Sequence, residues 1–279
     1  MAFRKSILLL SVIYLALGGV VFILGLNYFG VIPKQYQDAF KIGTPVLFLL
    51  TLWLSQKPSP KQKAIFTAYT LVSLGWLLDL NLTGEVKGWF SLNNHELSGF
   101  AYTMVISTFF VCAPVILGWL IFGREAAEIF LQTNPKRLGL ITGLMGLLLF
   151  GGYGVFQALS QGLAVNALLR AIPLMLLFSL ANGFREELVY RAVFLKGFQE
   201  NIGTAAAITV TTIVFALAHL NVSYMPPDQV IFAVVLVIIG IVGSLVMIKT
   251  GSMIGAVIFH AGADFLLLLG MVGSQQLFL

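Results

Sequence analysis

The 279-residue chain is short of charge. Asp, Glu, Lys and Arg make up 10% of it, against roughly 25% in a typical soluble domain. Apolar residues make up 59%, and the mean hydropathy is +0.97. These values exclude a soluble domain with a buried core and point to a polytopic membrane protein. Cysteine is nearly missing. The single Cys112 rules out an intrachain disulfide and reads as a small buried hydrophobe. Histidine is scarce too, with His95, His219 and His260 the three in the chain. No soluble domain, low-complexity tract or clear internal repeat is visible. The formal charge of +5 is no nucleic-acid footprint, because excess Lys and Arg in a membrane protein mark cytoplasmic loops.

What is there is a series of long apolar runs. Windows of roughly 17–25 apolar residues are long enough to span a bilayer as helices. The fold class is therefore all-α, a polytopic bundle of about eight or nine transmembrane helices. Nine windows stand out, at 6–28, 42–56, 64–82, 99–122, 138–160, 166–199, 203–220, 229–248 and 252–273. The first follows Arg4 and Lys5 but lacks a small-residue cleavage site, so it reads as a helix and not a signal peptide. The sixth is too long for one straight span, and Pro173 or the Asn182-Gly183 pair is where it is expected to kink or break.

The basic residues give an orientation. With the N-terminus in the cytoplasm, the inner segments hold Arg4, Lys5, Lys57, Lys61, Lys63, Arg124, Lys136, Arg137, Lys196 and Lys249, and the outer loops only Lys34, Lys41 and Lys87. This positive-inside bias predicts a multi-pass protein with its N-terminus inside. The polar stretch 123–137 divides N-terminal helices of unassigned role (1–137) from a C-terminal unit (138–279).

Ionisable residues within spans are costly and are usually functional or paired. They concentrate in the C-terminal unit: Glu186, Glu187, Arg191, His219, His260 and Asp264. Glu187 and Arg191 are four apart and share a helix face. His260 and Asp264 are four apart as well, and the small Ala261, Gly262 and Ala263 between them let another helix approach closely. The stretch Asn201-Ile202-Gly203 reads as a turn. Glu186 lies roughly 22 Å before it and His219 roughly 24 Å after it along ideal helices. A helix starting near Gly251 puts His260 roughly 14 Å and Asp264 roughly 20 Å along its axis. Two carboxylates and two imidazoles can thus converge inside the membrane.

Such a group suits hydrolysis by an activated water. A glutamate takes a proton from water, a histidine beside it orients that water, and a second histidine stabilises the oxyanion formed at an amide. Ser179 and Ser223 are the candidate nucleophiles nearby, and neither has an evident base. No cofactor is expected. A zinc site of Glu186, His219, His260 and Asp264 is the chemical alternative, since His and carboxylates are ordinary ligands, although the HExxH spacing is absent. The bland readings are a structural Glu187–Arg191 ion pair, histidines that merely bond neighbouring helices, an interfacial Asp79 and a solvated His95.

At these residues the chain resembles a known family. "EELVYR" (186–191) fits EExxxR, "FALAH" (215–219) fits FxxxH and "HAGAD" (260–264) fits HxxxN/D. Three such motifs in this order on apolar helices are similar to the CPBP (Abi) family of CAAX prenyl endopeptidases and bacteriocin-processing relatives, over roughly 140–273. The resemblance implies a helical membrane bundle, glutamate-type intramembrane proteolysis and no metal ligand set. It implies Glu186 as general base, His219 sharing the catalytic water, His260 and Asp264 at the oxyanion, and Glu187 and Arg191 supporting the site. Asp264 departs from the Asn of the prenyl endopeptidases. An ionised Asp cannot donate to an oxyanion, so Asp264 is either protonated or orients His260. The implied partner is a membrane-associated peptide or protein, prenylated or bacteriocin-like. The rival from another class is a non-proteolytic peptide-binding, immunity or scaffold protein using the same cavity, and a proton-coupled transporter is the third.

Overall fold

A computed structural model describes residues 2–24, 32–54, 60–132, 136–219 and 229–273. Lys57 and Ser223, invoked above, lie outside them. The described residues are helical, with no strand among them. In a bilayer, backbone amides have no water to bond, and a helix satisfies them within one segment.

Among the described residues the helices fall into nine rods, numbered in chain order. Helix α1 is Ala2–Gly18, continued by a π-helical turn Gly19–Leu24. Then come α2 (Lys34–Leu54), α3 (Pro60–Trp89) and α4 (Leu97–Ile121). Helix α5 (Arg137–Ser160) contains a π-helical turn at Leu147–Gly151. Helix α6 runs unbroken from Val165 to Ile202, followed by α7 (Thr204–Ala218), α8 (Gln229–Thr250) and α9 (Ile254–Gly273). Each expected span coincides with one rod. Among the described residues six helices are long and apolar enough to cross a membrane, and the apolar stretches in α1 and α7 are shorter. This is an integral membrane protein built as a helical bundle.

Helix α6 corrects one expectation. Pro173 lies inside its regular part, Val165–Glu186, and Asn182-Gly183 does not break it. A proline early in a membrane helix is tolerated when neighbouring groups re-satisfy the freed carbonyl. The irregularity falls instead on a π-helical turn at Glu187–Ala192, and single π turns of this kind recur at functional sites.

Two features hold the helices in register. Gly203 adopts φ +83°, which a side chain rarely tolerates, and reverses the chain between α6 and α7. Glycines seat α9 against α5. A Cβ on Gly262 would sit 2.7 Å from the Gly146 carbonyl oxygen, and one on Gly143 2.7 Å from that of Gly255. The small residues of "HAGAD" thus admit a close neighbour, as expected. The N-terminal helices pack on the end of α6: Tyr14 stacks on Phe198 at 4.6 Å, and Phe22 meets Tyr190 at 4.5 Å. Cys112 is buried among these apolar groups.

Candidate active site

Glu186 ends the regular part of α6 and Glu187 opens its π-helical turn. Both are buried, as are Arg191, His219, His260 and Asp264. All six expected residues therefore come together. His219 was expected inside its helix. It sits in the turn just past Ala218, where α7 ends.

The histidines are oriented by what their Nδ1 atoms touch. His219 Nδ1 lies 2.7 Å from the Phe215 carbonyl oxygen. A carbonyl only accepts, so Nδ1 carries the hydrogen. Its Nε2 then points at Glu186 Oε2, 3.1 Å away. His260 Nδ1 lies 2.8 Å from Glu187 Oε1. That carboxylate is held 3.1 Å from the Arg191 guanidinium, so it accepts the Nδ1 hydrogen. His260 Nε2 faces Glu186 Oε2 at 3.5 Å and Asp264 Oδ1 at 3.7 Å.

A neutral imidazole has one N–H, and in both histidines it is committed outward. Both Nε2 atoms therefore present lone pairs to Glu186 Oε2, with Asp264 Oδ1 alongside. Four acceptor atoms face one another in a buried space. A buried acceptor without a donor costs about 1–3 kcal/mol, so the cluster must hold protons that its neighbours do not fix.

The surrounding shell holds residues that sequence reasoning did not assign. Phe215 is fully buried. Its ring lies 4.4 Å from that of His219 and edge-on to His260 at 5.6 Å, with the Arg191 guanidinium 4.1 Å from its centroid. Gly243 of α8 leaves room for the ion pair, since a Cβ there would lie 2.9 Å from Glu187 Oε2. Asn182 donates through Nδ2 to Asp264 Oδ2 at 3.0 Å. Arg185 donates to Asn182 Oδ1 at 2.7 Å and to Ser107 Oγ of α4 at 2.6 Å, and it lies 3.6 Å from Glu186 Oε1. Arg185 also lines a cavity of about 350 Å³ with Asp79, Thr83, Asn94, Thr103 and Ser107. Asp79, expected at an interface, accepts from Thr83 at 2.6 Å. One signal was available: Asn182 precedes Glu186 by four residues and so shares its helix face.

Of the candidate nucleophiles, Ser179 is fully buried and its Oγ has no hydrogen-bond partner among the described residues. No group of three or more His, Cys, Asp or Glu side chains among the described residues is arranged to hold a metal ion.

Residues 166–266 match the family model described as type II CAAX prenyl endopeptidase Rce1-like. All six residues of the cluster fall inside that stretch, so the resemblance drawn from three short motifs meets a match that spans them. The family is a peptidase family, and a CAAX-type intramembrane peptidase is the general activity the match supports. No curated protein and no solved structure matches the chain.

Proposed function

We propose that residues 138–279 form an intramembrane endopeptidase unit, which hydrolyses a peptide bond of a membrane-associated, prenylated CAAX-type or bacteriocin-like substrate. One observation carries this reading: Glu186 Oε2 is flanked by the Nε2 atoms of two histidines whose Nδ1 atoms are both committed elsewhere. A water placed between Glu186 and His219 gives its proton to Glu186 and attacks the peptide carbonyl. The negative charge that develops on the carbonyl oxygen falls to Asp264 and to His260, whose Nε2 donates once it carries a proton of the cluster. Glu186 then returns the proton to the leaving amine as the C–N bond breaks. Glu187 and Arg191 hold His260 at its Nδ1 and keep its Nε2 on the reacting group. General base catalysis contributes about 10²–10⁴-fold, and each oxyanion donor about 10²–10³-fold. The basic-residue bias supports an N-terminus in the cytoplasm.

The test is cleavage of a panel of prenylated and membrane-anchored peptides by purified protein in detergent. Wild type, Glu186→Ala and His219→Ala run side by side with a chelator-treated sample. Cleavage by wild type, lost in both variants while they stay folded, is expected. Retained cleavage in either variant removes the mechanism. A folded wild type that binds peptides of the panel without cutting any of them favours the peptide-binding or immunity role.

A further inference from the structure

We propose that Asn182, its amide orientation locked by Arg185, makes Asp264 a hydrogen-bond donor to the oxyanion through Oδ1. This rests on the protease reading above, and it answers how an aspartate can serve where an asparagine is the more familiar residue.

The Arg185 guanidinium has donors only, and its Nη2 lies 2.7 Å from Asn182 Oδ1. The oxygen of the Asn182 amide therefore faces Arg185, and the NH₂ group faces Asp264. That group lies 3.0 Å from Asp264 Oδ2, so Oδ2 accepts. A proton on Oδ2 would collide with the incoming N–H. Any proton on Asp264 is thus confined to Oδ1, the oxygen 3.7 Å from His260 Nε2 and inside the reacting cluster.

Charge balance says that the proton is there. The cluster has two permanent cations. Arg191 lies 3.1 Å from Glu187, and Arg185 lies 3.6 Å from Glu186. Asp264 is the third carboxyl. Its polar partners among the described residues are Asn182 and His260, and neither is a permanent cation. A third buried negative charge beside Glu186 has no fixed compensation, and burying an uncompensated carboxylate is prohibitive. The titratable groups facing Asp264 are Glu186 from α6, His219 after α7, and His260 from its own helix.

A neutral carboxyl that accepts at Oδ2 and donates at Oδ1 has the same donor and acceptor pattern as an asparagine amide in that place. Asn182 and Arg185 are then positioning residues. Arg185 is in turn held by Ser107 at 2.6 Å, so the N-terminal helix α4 contributes an anchor to the site.

Two measurements decide the proposal. The first is infrared spectroscopy of purified protein at neutral pH, which needs no turnover. A protonated-carboxyl C=O stretch that vanishes in Asp264→Asn is expected. Spectra in which wild type and Asp264→Asn show no such difference overturn the proposal, whether or not the protein cleaves anything. Absence of cleavage by wild type counts instead against the protease reading. The second compares kcat and KM for Asp264→Asn, Asn182→Asp and the double variant. In Asp264→Asn the new amide still donates inward, and this variant should keep most of its turnover. In the double variant the bond between the two side chains survives with donor and acceptor exchanged, but the inward atom becomes a carbonyl oxygen. Its kcat should fall about 10²-fold below Asp264→Asn, the scale of one lost oxyanion donor, with KM and the unfolding temperature unmoved. A bond that only packs α6 on α9 predicts the opposite. A double variant as fast as Asp264→Asn, or an Asp264→Asn variant without activity, overturns the proposal.

Discussion

Replacing Arg191 with methionine tests how the centre of the site is held together. Methionine is an unbranched apolar chain that fills the space of the arginine stem but carries no charge. Arg191 and Glu187 are both fully buried, 3.1 Å apart, and the guanidinium also lies over Phe215. Arg191→Met leaves the Glu187 carboxylate in an apolar interior with the His260 Nδ1–H as its hydrogen-bond donor. Removing one member of a buried pair costs about 3–5 kcal/mol, most of it the penalty on the stranded charge. Glu187→Gln strands the guanidinium and should cost about as much. The double variant Glu187→Gln/Arg191→Met strands neither. Its glutamine oxygen still accepts from His260, and the loss reduces to about 1–3 kcal/mol for one poorly satisfied amide. The double variant should therefore be more stable than either single one. Denaturant unfolding in detergent, followed by tryptophan fluorescence, reads all three. The reasoning fails if Arg191→Met costs less than about 1 kcal/mol, or if the double variant loses the sum of the two.

Further outcomes follow from the same geometry. Gly243→Ala puts a methyl 2.9 Å from Glu187 Oε2 and 3.3 Å from Arg191 Nε. The ion pair and His260 must shift, and kcat should fall about 10–10²-fold, since a misplacement of 1 Å costs up to about 10²-fold; peptide kinetics check it. Chelator treatment should leave cleavage intact. A loss that zinc restores would recast Glu186, His219, His260 and Asp264 as a metal site. An epitope at the N-terminus should be accessible from the cytoplasmic side in oriented vesicles, because the basic residues bias that end inward.

Much of the site could be read from residue types and spacing. Charged groups in an apolar run stand out because the bilayer penalises them. A rise of about 1.5 Å per residue set Glu186 and His219 at one depth, and they lie 3.1 Å apart. The second layer was harder to see for physical reasons. Asn182 read as a helix breaker because asparagine competes for the backbone, yet here its amide is consumed by Arg185 and Asp264. Gly243 matters through the space it leaves between α8 and α6, and a single sequence does not encode which helix lies opposite. The π-helical turn at Glu187–Ala192 has no local signature, since it depends on how the turn packs. The helix continues through Pro173 and Asn182-Gly183, where a kink or break was expected.

The central claim is that Glu186 moves the proton of the attacking water. The most direct measurement is kcat for Glu186→Gln, which keeps the shape of the side chain and removes its basicity. On a peptide that wild type cleaves, the variant should lose about 10²–10⁴-fold, with the same unfolding temperature in detergent. A folded Glu186→Gln protein that cleaves within tenfold of wild type would contradict the account.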